Sequence, residues 1–412
     1  MPPAAPEVDA DVVVIGAGQA GLSAAFHLRR IGLRPVGEPG PRGTGTFVVL
    51  DAGAGPGGAW RERWPSLTMA HVHGVHELPG QPLPDVAPSD PASRAVSEYF
   101  GRYEHDLNLR VERPVQVVAV RDLDVSGGRS GLLAVDTVRV PASAPSRITV
   151  GRHGRADAQP AGPRPGARRT WRTRAVINAT GTWTKPFWPA YPGRADFAGR
   201  QLHTHDFHDA GEFLGRRVIV VGGGTSAVQL LLQIAPLAAA TTWVTRRPPA
   251  WEPAEFSPEL GRAAVAKVDE RTRAGLPPRS VVSVTGLPRT AAYEAGIAAG
   301  VLLARPMFER LVPDGARWSA RDAVGPVADG WVTGPEHVAA DVILWCTGFR
   351  YALDHLAPLH LRRPGGGIVM DGTEVVADPR LQLVGYGPSA STVGANRAGR
   401  EAVRNLRRTL AL

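Results

Sequence analysis

Two short glycine clusters constrain this chain more than anything else in it. Gly16-Ala-Gly18-Gln-Ala-Gly21 directly follows the β-branched run at residues 11–15 and opens a stretch of helical spacing over Leu22–Arg30. Gly222-Gly-Gly224-Thr-Ser226-Ala227 follows Val218–Val221 and opens Ser226–Ile234 in the same manner. A further strand pattern follows each helix, at Phe47–Leu50 and at Thr241–Thr245. Strand, tight turn, helix and strand imply a parallel sheet with helices on its faces. Two such openings predict an α/β chain with two Rossmann-like dinucleotide-binding domains, and a length of 412 residues has room for both.

The glycines stand where phosphate binding needs them. Gly16 permits the turn, Gly18 lets the backbone approach a pyrophosphate, and Gly21 lets helix and strand pack closely. The helix N-terminus then offers unpaired N–H groups and the positive end of its dipole. In the second loop Gly222 and Gly224 repeat the cradle, with Ser226 and Ala227 at the close-packed end. A carboxylate for a ribose hydroxyl is expected about 20 residues on. In the first unit the candidate is Asp51, displaced by a loop insertion at residues 37–46. In the second unit the strand ends in Thr245-Arg246-Arg247 with no acid. A planar guanidinium fork suits a 2′-phosphate, which a carboxylate would repel, so Arg246 and Arg247 point to NADPH over NADH.

Between the two units, Val115–Val120, Gly131–Val140 and Ala175–Ala179 read as an antiparallel excursion, with a Pro/Gly/Arg loop over 141–170. Asp341–Trp345 and Leu381–Val384 read as later strands, and Arg397–Leu412 as a closing helix. The net charge of +9 is concentrated, since Arg147 to Arg174 holds eight arginines against the single acid Asp157. Those arginines lack interleaved aromatics, so the stretch is expected to be a solvated insert rather than a nucleic-acid surface. One cysteine, Cys346, excludes an internal disulfide and a Cys-x-x-Cys redox pair. No basic region precedes the first apolar run, and the longest uncharged stretch is broken by polar residues. A cytoplasmic protein without membrane partners is expected.

Gly57-Gly58-Ala-Trp60-Arg61, continuing into Trp64-Pro65, is similar to the flavin-side loop of flavin-containing and Baeyer–Villiger monooxygenases. Phe197-x-Gly199-x-x-x-His203-x-x-x-Phe207 resembles the fingerprint of flavin-containing and N-hydroxylating monooxygenases. Ala179-Thr180-Gly181 and Cys346-Thr347-Gly348-Phe349 resemble the paired linkers between their domains. Baeyer–Villiger enzymes carry tryptophan where Phe207 stands and an acid where Ala70 stands, so ketone oxygenation does not follow.

The resemblance to class B flavoprotein monooxygenases implies a glutathione-reductase-like architecture. Residues 1–185 and 336–412 would form a discontinuous FAD domain, and 186–335 an inserted NADPH domain. It also implies FAD along Gly58, Trp60 and Arg61, hydride transfer from NADPH, and a flavin C4a-hydroperoxide that oxygenates a soft nitrogen or sulfur nucleophile. The partners would be a small-molecule substrate and O2, with homo-oligomerisation compatible. An NADPH oxidase or acceptor reductase, or a non-catalytic nucleotide-sensing flavoprotein, would use the same scaffold. By the same resemblance His73 stands near the position of an asparagine that touches the oxygenated flavin. His203 would hold the domain junction and, with His73, is the catalytic candidate, and Asn396 would begin a helix pointing at the flavin ring. His71-x-His73-x-x-His76 has no carboxylate inside it. His203-x-His205-x-x-His208 lacks the aspartate that a dinuclear zinc motif places before its third histidine, so no metal is expected.

Overall fold

The computed structural model describes residues 8–41, 43–72, 75–125, 128–141, 166–252, 258–278, 286–324 and 329–410. The insert from 142 to 165 and the candidate His73 lie outside the described residues.

The first glycine cluster joins β1 (Ala10–Ile15) to α1 (Gln19–Arg30). After the short β2 (Arg34–Pro35), β3 (Thr46–Leu50) pairs with β1 in parallel, Val12 beside Phe47 and Ile15 beside Leu50. The helix α2 (Ala92–Asp106) follows, then β4 (Val115–Val125), β5 (Gly128–Arg139) and β6 (Arg168–Asn178). The last of these is the pivot of a nine-stranded sheet. Its first half pairs antiparallel with β5, while its second half runs parallel to β1 on one side and to Leu381–Leu383 on the other. The antiparallel excursion is therefore continuous with the parallel sheet. Strand structure also begins at Arg168, inside the stretch expected to be loop. Arg168-Arg169-Thr170 is exposed and reads as polar, but Arg169 lies 3.4 Å over the Trp171 ring and Thr137 bonds the Arg169 carbonyl at 2.8 Å, which holds it extended.

The second sheet is wholly parallel. Its five strands run in the order Ala304–Pro306, β9 (Ala240–Thr245), β8 (Arg217–Val221), Val342–Trp345 and β7 (Arg200–His203). The second glycine cluster joins β8 to α3 (Thr225–Ile234). Because Val342–Trp345 pairs with both β7 and β8, the chain returns to the first domain only after Trp345, later than the expected crossing at 336. An apolar run such as VILW carries no mark of which sheet it will join. A small antiparallel sheet, Arg310–Val312, Gly315–Arg317 and His337–Ala339, packs beside the second one.

Each sheet is buried on both faces, as the near-continuous apolar runs of its central strands require. The C-terminal helix, Thr392–Leu410, lies against α1, and a Cβ at Gly399 would fall 2.6 Å from Ser23 Oγ, so only glycine allows that approach. The two linkers between domains pair with each other: Phe187 N–H donates to Gly348 O at 2.9 Å and Arg350 N–H to Lys185 O at 2.8 Å. No helix among the described residues is long and apolar enough to cross a membrane.

Two buried histidines tie stability to pH. His27 in α1 is 8% exposed and His355 is 9% exposed, with Nε2 donating to Asn178 Oδ1 at 2.7 Å. Burial pushes each imidazole down to about 4, with the Arg30 and Arg400 charges adding to the effect at His27. Unfolded, each takes a proton near 6.5, so their contribution is complete above that pH and is lost as pH falls toward 4. Melts at pH 7.5 and pH 5 should differ by roughly 2 kcal/mol for each histidine. A stability unchanged across that window would contradict the burial of both.

Candidate active site

Gly16 adopts φ +99°, closed to most L side chains, and a Cβ there would lie 2.6 Å from Ala179 O. At Gly21 a Cβ would meet Gly16 O at 1.8 Å, so strand, turn and helix close on one another through glycine alone. Gly18 differs. It has extended backbone, φ −83° and ψ −171°, and its missing Cβ faces open space with nothing within 4 Å. It is the N-cap of α1, and no side chain caps the helix there. The second loop repeats this division. Gly222 has φ +146° with a Cβ position 2.2 Å from Cys346 O, while Gly224 is extended, open and the uncapped N-terminus of α3.

The Gly57–Trp60 segment folds onto the first loop. Gly58 sits at φ +53°, its Cβ position 2.9 Å from Gly18 Cα. Trp60 is half-buried and packs against the cores of both domains. Arg61 is exposed and lies beside Gly55, whose Cβ position is 2.8 Å from its guanidinium. Asp51, at the end of β3, accepts from Arg113 Nε at 2.8 Å, and Arg113 also grips Glu104 bidentately at 2.6 and 2.7 Å. Burial pushes the Glu104 carboxyl up, against the opposing pull of Arg113. Asn396 is the tie between the C-terminal helix and α1. It accepts from Gln19 Nε2 at 2.9 Å and donates to Glu77 O at 2.7 Å.

At the second loop, Gly222 N–H donates to Val244 O at 2.9 Å, and the Cβ position of Gly223 is 3.7 Å from Thr245. The exposed Arg246 and Arg247 therefore leave the sheet beside the cradle, with Ser226 half-buried in the first turn of α3.

His203 is fully buried. Its Nε2 donates to Gly348 O at 3.0 Å and its Nδ1 accepts from His205 N–H at 3.0 Å. Both ring nitrogens are spent on backbone, and burial holds the imidazole below its usual range despite the Gly348 contact and the nearby Asp206 charge. The ring is thus neutral with its proton on Nε2, in the geometry of a junction tie rather than of a group that meets substrate. Cys346 directly follows the strand Val342–Trp345 of the second sheet, and burial pushes its thiol up to about 12, so it offers no thiolate. Among the described residues no group of His, Cys, Asp or Glu is arranged to hold a metal ion.

Several residues at these sites carried no sequence signal. Arg113 and Glu104 come from separate elements and meet at Asp51 only through the fold. Gln19 stands between the glycines of the first loop, and its amide joins the Asn396 side chain to the His76 carbonyl. Arg63 and Trp183 are brought together from two loops, the guanidinium 4.2 Å from the ring.

Residues 167–271 match a family described as pyridine nucleotide-disulphide oxidoreductase. A solved flavin-containing monooxygenase from Stenotrophomonas maltophilia is 33% identical, covering 98% of this chain and 100% of that one, with a TM-score of 0.71. A trimethylamine monooxygenase from Pelagibacter ubique is 50% identical over 58 residues, which are 14% of this chain and 13% of that protein. A probable indole-3-pyruvate monooxygenase from Arabidopsis thaliana is 24% identical over 225 residues, 54% of this chain and 43% of that protein. The matches to these two curated relatives thus span less than half of either.

Proposed function

The chain belongs to the flavin-containing monooxygenase family, and on that footing we propose that it is an FAD- and NADPH-dependent monooxygenase acting on a soft nitrogen or sulfur atom of a small molecule. The observation that carries the reading is the pair of uncapped helix N-termini, each behind a glycine whose outward side is open. An uncapped first turn and an open cradle fit a pyrophosphate, and the two cradles stand on separate sheets. FAD would lie along Gly16, Gly18 and Gly21, with Asp51 at its ribose, Gly58, Trp60 and Arg61 along its length and the helix carrying Asn396 near its ring. NADPH would lie along Gly222, Gly224 and Ser226, with Arg246 and Arg247 at its 2′-phosphate.

When bound, FAD supplies the chemistry: it takes hydride from NADPH and activates dioxygen for transfer to the nucleophile. The protein's own work is orientation and exclusion of water. Trp64 is 2% exposed and Trp183 8%, and with the half-buried Trp60, which packs against the cores of both domains, they keep water out beside the first cradle. His203 holds its Nε2 proton against Gly348 O, which fixes the returning linker to β7. Arg113 fixes the Asp51 carboxylate. Dithiol chemistry, the other use of this scaffold, has no second cysteine to work with.

The test is turnover under heavy-oxygen gas with a panel of tertiary amines and sulfides. One heavy atom should enter the product, with labelled product approaching the NADPH consumed. Hydrogen peroxide equal to the NADPH consumed, with no labelled product, would make the protein an oxidase and overturn the proposal.

A further inference from the structure

Arg63 is a cation with no counterion among the described residues. It follows Trp60 by one turn, its N–H donating to Trp60 O at 3.0 Å, and its guanidinium lies 4.2 Å from the centroid of Trp183 and 5.8 Å from that of Trp64. Among the described residues it makes no ion pair and no side-chain hydrogen bond. Burial alone pushes it down to about 10. The side chain is half-buried, and a partly desolvated guanidinium gains from an anion that accepts from its N–H groups.

The ring beneath it is more deeply buried and also carries an unused donor. Trp183 is 8% exposed, and its Nε1–H is buried with no acceptor among the described residues. Phe349 stacks on Trp183 at 5.0 Å and His205 lies 5.1 Å away. The carboxylate of this cluster, Asp206, is already taken by His203 N–H at 3.0 Å and His205 Nδ1 at 3.0 Å. Two kinds of unpaired donor, a guanidinium fork and an indole N–H, therefore share one patch. That patch lies where the first-loop extension, both linkers and the end of β7 meet. Donors in excess of acceptors, on an aromatic floor, suit an anion with oxygen acceptors.

We propose that Arg63 and Trp183 form an anion subsite at the domain junction, binding the carboxylate of an acidic substrate or a phosphate of the coenzyme. The inference rests on the proposed function for the identity of the ligands, not for the existence of the site. Between the sources, the carboxylate is favoured, because Arg246, Arg247 and the two helix N-termini already provide for phosphates. The substrate would then be a small acid that also carries the nitrogen or sulfur to be oxygenated.

Calorimetric titrations of the FAD-loaded protein test this with three probes: 4-(methylsulfanyl)benzoate, its neutral counterpart methyl phenyl sulfide, and NADP+. The variants are Arg63→Gln and Arg63→Lys, with melting curves confirming that both are folded. Arg63→Gln should weaken the benzoate on the order of tenfold or more while leaving the neutral sulfide and NADP+ within twofold, and Arg63→Lys should fall between. A tenfold loss confined to NADP+ would also establish the anion subsite and assign it to the coenzyme. Benzoate and NADP+ both unchanged within twofold, or no benzoate binding by the wild type together with unchanged NADP+, would overturn the proposal and leave Arg63 as packing. Flavin absorbance of the same samples reports separately on the proposed function. A wild type without flavin that still binds benzoate through Arg63 removes that reading and keeps the subsite.

Discussion

Gly18→Asp yields a protein that folds as well as the wild type and is colourless. The two halves of that expectation have separate causes. The backbone at Gly18 is already extended, its Cβ position is clear for 4 Å, and it is the N-cap of α1 with no side-chain cap. Aspartate is a preferred N-cap and its charge suits the helix dipole, so the empty protein should gain between a few tenths and about 1 kcal/mol. The same carboxylate stands where the FAD pyrophosphate must sit. Like charges ~4 Å apart at an effective dielectric near 20 cost about 4 kcal/mol, on the order of a 10³-fold loss of affinity. Flavin content after purification and the melting temperature of the flavin-free protein measure the two halves. Gly16→Ala is the contrasting variant: φ +99° and a Cβ 2.6 Å from Ala179 O make it a folding defect first. A yellow Gly18→Asp protein would remove FAD from the first loop.

Gly224→Asp is expected to do the converse. Gly224 is also extended, open and the uncapped N-cap of its helix. The variant should keep its flavin and its stability while losing NADPH affinity on the order of 10³-fold, by the same electrostatic argument. Its flavin should still be bleached by dithionite, which needs no nucleotide pocket. Unimpaired reduction by NADPH would show that the second loop is not the coenzyme cradle. The two variants together assign one nucleotide to each loop, which a single variant cannot do.

How much of this was legible in the sequence follows from how local each feature is. The glycine turns, the helices behind them and the parallel neighbours at Phe47 and Thr241 depend on a few adjacent residues, and the structure has them where the spacing predicted. Strand membership is not local. Asp341–Trp345 reads as a strand from the sequence, and Val342–Trp345 forms one, but it belongs with β7 and β8, because an apolar tetrapeptide fits any sheet interior. The polar start of β6 read as loop because its extended form is held by β5 and by the Arg169–Trp171 stack, partners distant in sequence or hidden by alternation. The candidate site divides in the same way. Phosphate cradles are backbone motifs and can be read. What surrounds them is assembled across domains: Arg113 and Glu104 behind Asp51, Gln19 with Asn396, and Arg63 on Trp183. The 3.6-residue and two-residue periods carry no information about such pairings.

Two nucleotides gripped by separate cradles would have to meet at the junction between the sheets. Anaerobic mixing of the flavin-loaded protein with NADPH in a stopped-flow spectrophotometer tests that directly. The wild type should lose its oxidised-flavin absorbance on mixing and recover it when oxygen is admitted, while Gly224→Asp keeps its colour throughout. Flavin that stays oxidised in the wild type under saturating NADPH would contradict the account.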